Sequence, residues 1–124
     1  MDYRILIVDD IFVNRLLLKE IIKKFSKSCF EAQNGKEAIE ILQREDLDVI
    51  LMDIEMPVMN GLETTKYIRE KLISPKKNIP IIALTAYNPD LFFKDYKEAG
   101  FNMLLVKPYN IDSLKKNIEE VCRR

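Results

Sequence analysis

The chain has 124 residues, and its 20 Lys and Arg balance 20 Asp and Glu, so the formal net charge is zero. That length suits one domain with one core, and the charge balance excludes a bulk electrostatic grip on nucleic acid. There is no histidine, which excludes Ser-His-Asp and Cys-His catalysis, a histidine-bearing zinc site, and a phosphohistidine carried by this chain.

No apolar run is long enough to span a bilayer. Met1-Asp2-Tyr3-Arg4 leads directly into a strand pattern rather than into a signal peptide. Cys29 and Cys122 lie far apart without CxxC spacing and read as reduced, inert thiols of a cytoplasmic protein.

Short apolar runs alternate with helical patterns from end to end. Residues 4–9 read as a strand closing on Asp9-Asp10. The first helix places Leu17, Leu18, Ile21, Ile22 and Phe25 on one face, while Arg15, Lys19 and Lys23, four apart, read as a solvated face. Residues 28–33 are more polar and read as an edge strand. A helix from Lys36 buries Ala38, Ile41 and Leu42, and residues 48–53 form a strand ending in Asp53. The third helix runs from about Gly61 and buries Leu62, Thr65, Ile68 and Leu72. A loop, Ser74 to Asn78, leads to a strand at 80–85 that ends in Thr85.

The fourth helix has clear punctuation, with Asn88 at the N-cap, Pro89 at the first helical position and Gly100 as the stop. Its Leu91, Phe92, Phe93 and Tyr96 are more apolar than one buried face needs, which fits either packing against the sheet and the fifth strand or a partly exposed partner or dimer surface. Residues 102–107 are the last strand, closed by Lys107-Pro108. The fifth helix starts after Asn110 and buries Ile111, Leu114, Ile118 and Val121.

The central strands are rich in Ile, Val and Leu without alternation, as parallel strands buried on both faces are. Strict alternation of strands and helices implies βαβ units with right-handed crossovers. The expected fold is a single α/β domain over 1–124, a three-layer, doubly wound, five-stranded parallel sheet of flavodoxin-like order 2-1-3-4-5. The switch point then lies between the first and third strands, which end in Asp9-Asp10 and Asp53.

Those acids crowd one edge of the sheet, and crowded carboxylates repel. A divalent cation relieves this. Mg2+ favours oxygen ligands, uses one or two carboxylates and keeps several waters. Thr85 and Lys107 end the next two strands at the same edge. A cation site, an oxygen nucleophile, a hydroxyl and an ammonium together are the equipment for phosphoryl transfer to a carboxylate.

The motifs stand in order as Leu6-Ile7-Val8-Asp9-Asp10, Ala32-Gln33-Asn34-Gly35-Lys36-Glu37-Ala38, Met52-Asp53-Ile54-Glu55-Met56-Pro57-Val58-Met59-Asn60-Gly61, Ile79-Pro80-Ile81-Ile82-Ala83-Leu84-Thr85-Ala86, Ala99-Gly100 and Lys107-Pro108. In this order they resemble the receiver domain of two-component response regulators, and the resemblance covers the whole chain. The Met-Pro-Val-Met-Asn-Gly run looks like receivers of hybrid sensor kinases and phosphorelays.

The resemblance implies that Asp53 is the phosphoacceptor, taking its phosphoryl group from a phosphohistidine on a sensor histidine kinase or His-phosphotransfer protein. It implies Mg2+ held by Asp10, Asp53 and the backbone carbonyl of Glu55, with Asp9 acting through water. Thr85 would turn toward the phosphoryl group and Lys107 would pair with one of its oxygens. Glu55 and Tyr87 would tune the lifetime of the phosphorylated form. Output would pass to an effector or a self-dimer through the face from the fourth to the fifth helix.

One position departs from the pattern: the aromatic residue usually found three before the lysine is Leu104 here. That keeps a pseudo-receiver, an interaction domain that takes no phosphate, among the alternatives. An aspartyl-nucleophile phosphatase of the haloacid dehalogenase type would want an aspartate where Glu55 stands. Flavin binding is disfavoured by the acidic loop after the first strand.

Overall fold

The computed structural model describes residues 3–54, 56, 59–86, 97–107 and 110–123. In chain order these form β1 (Arg4–Val8), α1 (Phe12–Ile22), β2 (Ser28–Ala32), α2 (Gly35–Arg44), β3 (Val49–Asp53), α3 (Gly61–Lys71), a 3-10 turn (Lys76–Asn78), β4 (Ile81–Thr85), β5 (Met103–Val106) and α4 (Ile111–Cys122). Helix α4 is the fifth helix expected from the sequence. Most of the helix expected after Asn88, including Leu91, Phe92, Phe93 and Tyr96, lies outside the described residues, as do Tyr87 and Pro89.

All five strands pair in parallel in the order β2-β1-β3-β4-β5. The expected flavodoxin-like order is therefore observed, with β2 at an edge as its polarity predicted. Side chains alternate across the sheet and divide the core in two. Leu6, Val8, Ile50, Met52 and Ile81 pack against Ala38, Ile41 and Leu42 of α2 and Ile68 of α3. Ile5, Ile7, Val49, Leu51, Ile82 and Leu84 pack against Leu18 and Ile22 of α1 and Leu114, Ile118 and Val121 of α4. The helices thus cover both faces of the sheet.

The first helix departs from its expected phase. Its buried residues are Arg15, Leu18 and Ile22, whereas Leu17 is 58% exposed. A helix lying flat on a sheet buries a narrow stripe, and the 15-18-22 stripe leaves position 17 about 100° away. Ile21 and Phe25 are half-buried. On α3, Leu62 is half-buried, as is the C-cap Leu72, and Thr64 joins Thr65 and Ile68 inside. Ile111 is half-buried at the start of α4. Gly100 has φ +105°, a left-handed conformation that glycine adopts without a Cβ penalty, and it stops the helical residues 97–99 as expected.

Candidate functional site

The register of the sheet assembles the site. Val8 pairs with Met52 in adjacent strands, so the next residues, Asp9 and Asp53, emerge side by side. Hydrogen bonds continue the ladder past the strand ends: Asp9 N donates to Ala32 O at 3.1 Å, Ile54 N to Leu84 O at 3.3 Å, and Lys107 N to Thr85 O at 2.7 Å. These bonds hold Asp9, Asp53, Thr85 and Lys107 on rigid backbone rather than on free loops.

Ligand oxygens of Asp9, Asp10 and Asp53 all lie within 4.8 Å of one another. Asp9 and Asp53 are buried and Asp10 is exposed. Lys107 Nζ stands 3.7 Å from Asp53 Oδ1 and 4.0 Å from Asp9 Oδ2. Both distances are ion-pair contacts beyond hydrogen-bond reach. Asp9 Oδ1 accepts from Ile11 N at 2.9 Å, but Asp9 Oδ2 is buried with no hydrogen-bond partner among the described residues. A buried carboxylate oxygen without a hydrogen bond is costly. Three carboxylates gather with the ammonium of Lys107, so acid outnumbers base in the cluster among the described residues. The donor set is all oxygen, so the residues fit a hard divalent cation such as Mg2+.

The end of β3 that carries Asp53 is clamped from α3. Gly61 N donates to Ile54 O at 2.9 Å, and a Cβ on Gly61 would lie 2.6 Å from the Asp53 carbonyl oxygen. Glycine is needed here for close approach. Asn60 caps α3 by accepting from Glu63 N at 2.9 Å, and Glu63 Oε1 accepts from Asn60 N at 3.3 Å, a reciprocal capping box.

Four of the expected site residues, Asp9, Asp10, Asp53 and Lys107, therefore meet in one cluster. Thr85 is buried at the end of β4, with its carbonyl tied to Lys107. Glu55, expected to lend its carbonyl, lies outside the described residues. Leu104 is half-buried and packs with Phe101 and Leu62 on Ile54 and Ala83.

Sequence reasoning missed Arg15, placed on a solvated face but found buried with Nη1 donating to Asp9 O at 2.8 Å. The available signal was its spacing, three before Leu18 and seven before Ile22.

The family model for the response regulator receiver domain matches residues 5–119. Sporulation initiation phosphotransferase F of Bacillus subtilis (strain 168) is 36% identical over 120 residues, which cover 97% of this chain and 94% of that protein. Hybrid signal transduction histidine kinase A of Dictyostelium discoideum is 37% identical over 112 residues, 89% of this chain but 5% of that protein.

Among solved structures, the receiver domain of Ssk1 from Saccharomyces cerevisiae, crystallised with the histidine phosphotransfer signaling protein Ypd1, has a TM-score of 0.87 at 33% identity, covering 98% of this chain and 90% of that one. The receiver domain of sensor histidine kinase PA1611 from Pseudomonas aeruginosa, with magnesium coordinated in its active site cleft, has a TM-score of 0.88 at 27% identity over 100% of both chains. The sheet order, the acid cluster at its switch point and these matches together establish that the chain belongs to the response regulator receiver domain family of phosphorelay signalling.

Proposed function

We propose that Asp53 is the phosphoacceptor of this receiver domain, and that Mg2+ binds beside it through Asp10, Asp53 and the carbonyl of Glu55, with Asp9 acting through water. The observation that carries this is the Asp9-Asp10-Asp53 cluster with a buried Asp9 oxygen that has no hydrogen-bond partner among the described residues. The magnesium in the PA1611 receiver domain supports the choice of ion.

In the proposed reaction, an Asp53 carboxylate oxygen forms a bond to phosphorus while the phosphorus–nitrogen bond of a partner's phosphohistidine breaks. Bound Mg2+ supplies neutralisation of the phosphoryl oxygens. Lys107, already facing Asp53, pairs with one of those oxygens. Thr85 donates its hydroxyl to another once the group is in place. The chain catalyses only its own phosphorylation and dephosphorylation.

The donor is a sensor histidine kinase or a His-phosphotransfer protein, as in the Ssk1–Ypd1 pairing. A protein donor is supported by the apolar surface next to the site: Ile11, Phe12, Val13, Leu16 and Leu17 are all exposed and follow Asp10 directly in sequence. The proposed output is an effector or a second copy bound at the face of β5, α4 and the helix expected after Asn88. β5 is an edge strand with half-buried to exposed residues, which suits such a role.

Intact-mass spectrometry after incubation with acetyl phosphate and Mg2+ tests the phosphoacceptor. The expected result is a gain of one phosphoryl group that Asp53→Asn or chelation of the metal abolishes. A gain that persists in Asp53→Asn would contradict the assignment. No gain in the folded wild-type chain would instead favour a pseudo-receiver.

A further inference from the structure

The geometry points to Arg15 as a positioning residue for the cation site: its guanidinium fixes the peptide between Asp9 and Asp10, and so the direction in which Asp10 presents its carboxylate. The inference rests on the phosphoacceptor reading above and adds to it a residue outside the acid cluster.

Arg15 is 7% exposed, a rare placement for an arginine. Its Nη1 donates to the Asp9 carbonyl oxygen at 2.8 Å and its Nε to Glu31 Oε1 at 3.3 Å. The planar guanidinium holds its donors in fixed relative directions, so the grip on Glu31 aims the other nitrogen at Asp9. Lys19 Nζ contacts the second Glu31 oxygen at 3.1 Å and steadies that carboxylate. The guanidinium carbon lies 5.7 Å from the centroid of the Phe12 ring, which covers another side.

The Asp9 carbonyl and the Asp10 N–H belong to one planar peptide unit. The preceding amide is fixed by the bond from Asp9 N to Ala32 O, and the following one by the bond from Ile11 N to Asp9 Oδ1. Ile11, the N-cap of α1, brings no capping side chain of its own. Among the described residues no hydrogen bond or ion pair holds the Asp10 carboxylate. Its direction is therefore inherited from its backbone, and Arg15 is the side chain that grips that backbone. Glu31 offsets the arginine charge, so the contribution is orientation rather than field. Outer partners that orient a metal ligand commonly contribute about 10–100-fold to metal affinity.

Isothermal titration of Mg2+ into wild type and Arg15→Met tests this, with thermal unfolding of the metal-free proteins alongside. Methionine keeps apolar bulk and removes the donors. The expected result is Mg2+ affinity about tenfold weaker in a folded variant. The Mg2+ concentration for half-maximal phosphorylation by acetyl phosphate should rise by the same factor, with the rate at saturating Mg2+ within about twofold of wild type. Arg15→Lys, with one compact donor group, should recover part of the affinity.

Unchanged Mg2+ affinity in folded Arg15→Met would overturn the inference and leave the phosphoacceptor reading intact. A wild type that binds no Mg2+ would overturn both. If Arg15→Met does not fold, Arg15→Gln carries the same comparison at the same threshold. Failure of both to fold would assign Arg15 to the core and overturn its positioning role.

Discussion

The ammonium of Lys107 faces the Asp53 carboxylate at 3.7 Å, and its own backbone N–H is bonded to the carbonyl of Thr85 at 2.7 Å. One residue thus links the ends of three strands, β3, β4 and β5. The ammonium shares the acid cluster that we propose binds Mg2+, so the two cations oppose each other in the resting state and cooperate once a phosphoryl group adds negative charge. Lys107→Met is expected to bind Mg2+ severalfold more tightly by calorimetry. Its phosphorylation by acetyl phosphate should slow by about 10²-fold, the scale on which a lost charge-stabilising donor acts. Tighter binding together with an unchanged rate would remove Lys107 from the proposed chemistry.

Gly61 ties the α3 N-terminus to the end of β3 at Asp53 and Ile54. In Gly61→Ala the added methyl group would meet Asp53 O at 2.6 Å and Ile54 Cα at 2.7 Å, both backbone atoms that cannot rotate away. The expected cost is about 1–3 kcal/mol in urea unfolding, the usual range for an overpacked site. Weaker Mg2+ binding should accompany it, because relief of the clash displaces Asp53. A stable variant with native Mg2+ affinity would show that the contact is dispensable.

Asn60 starts α3 through a capping box with Glu63. Asn60→Ala is expected to lower stability by about 1 kcal/mol, measured as a shift of the urea midpoint at constant slope. Phosphorylation at a temperature where the variant is fully folded should be close to native, because the cap holds the helix and not the acids.

The two cysteines give a pH dependence. Burial pushes the Cys29 thiol up from 9.0 to about 11, with the charge of Glu31 adding to it, and does the same to Cys122, with help from Asp48. Between pH 9 and 11 the unfolded chain therefore loses these protons before the folded one does. The folded state binds more protons in that window, so its stability falls as pH rises. The double variant Cys29→Ala, Cys122→Ala is expected to lose less stability than wild type between pH 8.5 and 10.5. Parallel loss in both proteins would contradict the assignment to the thiols. Below pH 8 both thiols stay protonated and should react slowly with disulfide reagents in the native state.

The sheet was readable because parallel strands are buried on both faces, so Ile5 to Val8, Val49 to Met52 and Ile81 to Leu84 are continuous apolar runs. The acid cluster was readable for a related reason. A carboxylate directly after such a run, as at Asp9 and Asp53, has nowhere to go but the strand's C-terminal end. Helix α1 was harder. Its apolar residues outnumber the positions facing the sheet, and helical spacing grouped Leu17 with the buried face and Arg15 with the lysines outside.

The structure reverses both. Arg15 gains a carbonyl and a carboxylate as partners, and Leu17 joins an exposed apolar surface beside the site. The capping box at Asn60 is spelled by the spacing Asn60-Gly61-Leu62-Glu63, yet it sits inside the Asp53 motif, whose other residues dominate a sequence reading. What lies across the sheet from a residue, such as Ala83 beside Leu104, follows from register and is not written locally in the chain.

The central claim is that Asp10 and Asp53 share one divalent cation that readies Asp53 for phosphorylation. A crystal structure grown with Mg2+ and beryllofluoride tests it most directly. The account predicts one octahedral ion about 2.0–2.1 Å from a carboxylate oxygen of Asp10 and one of Asp53, with beryllofluoride on the other Asp53 oxygen and Lys107 against a fluorine. Carboxylates of Asp10 and Asp53 turned apart, with no shared ion and no adduct on Asp53, would contradict it.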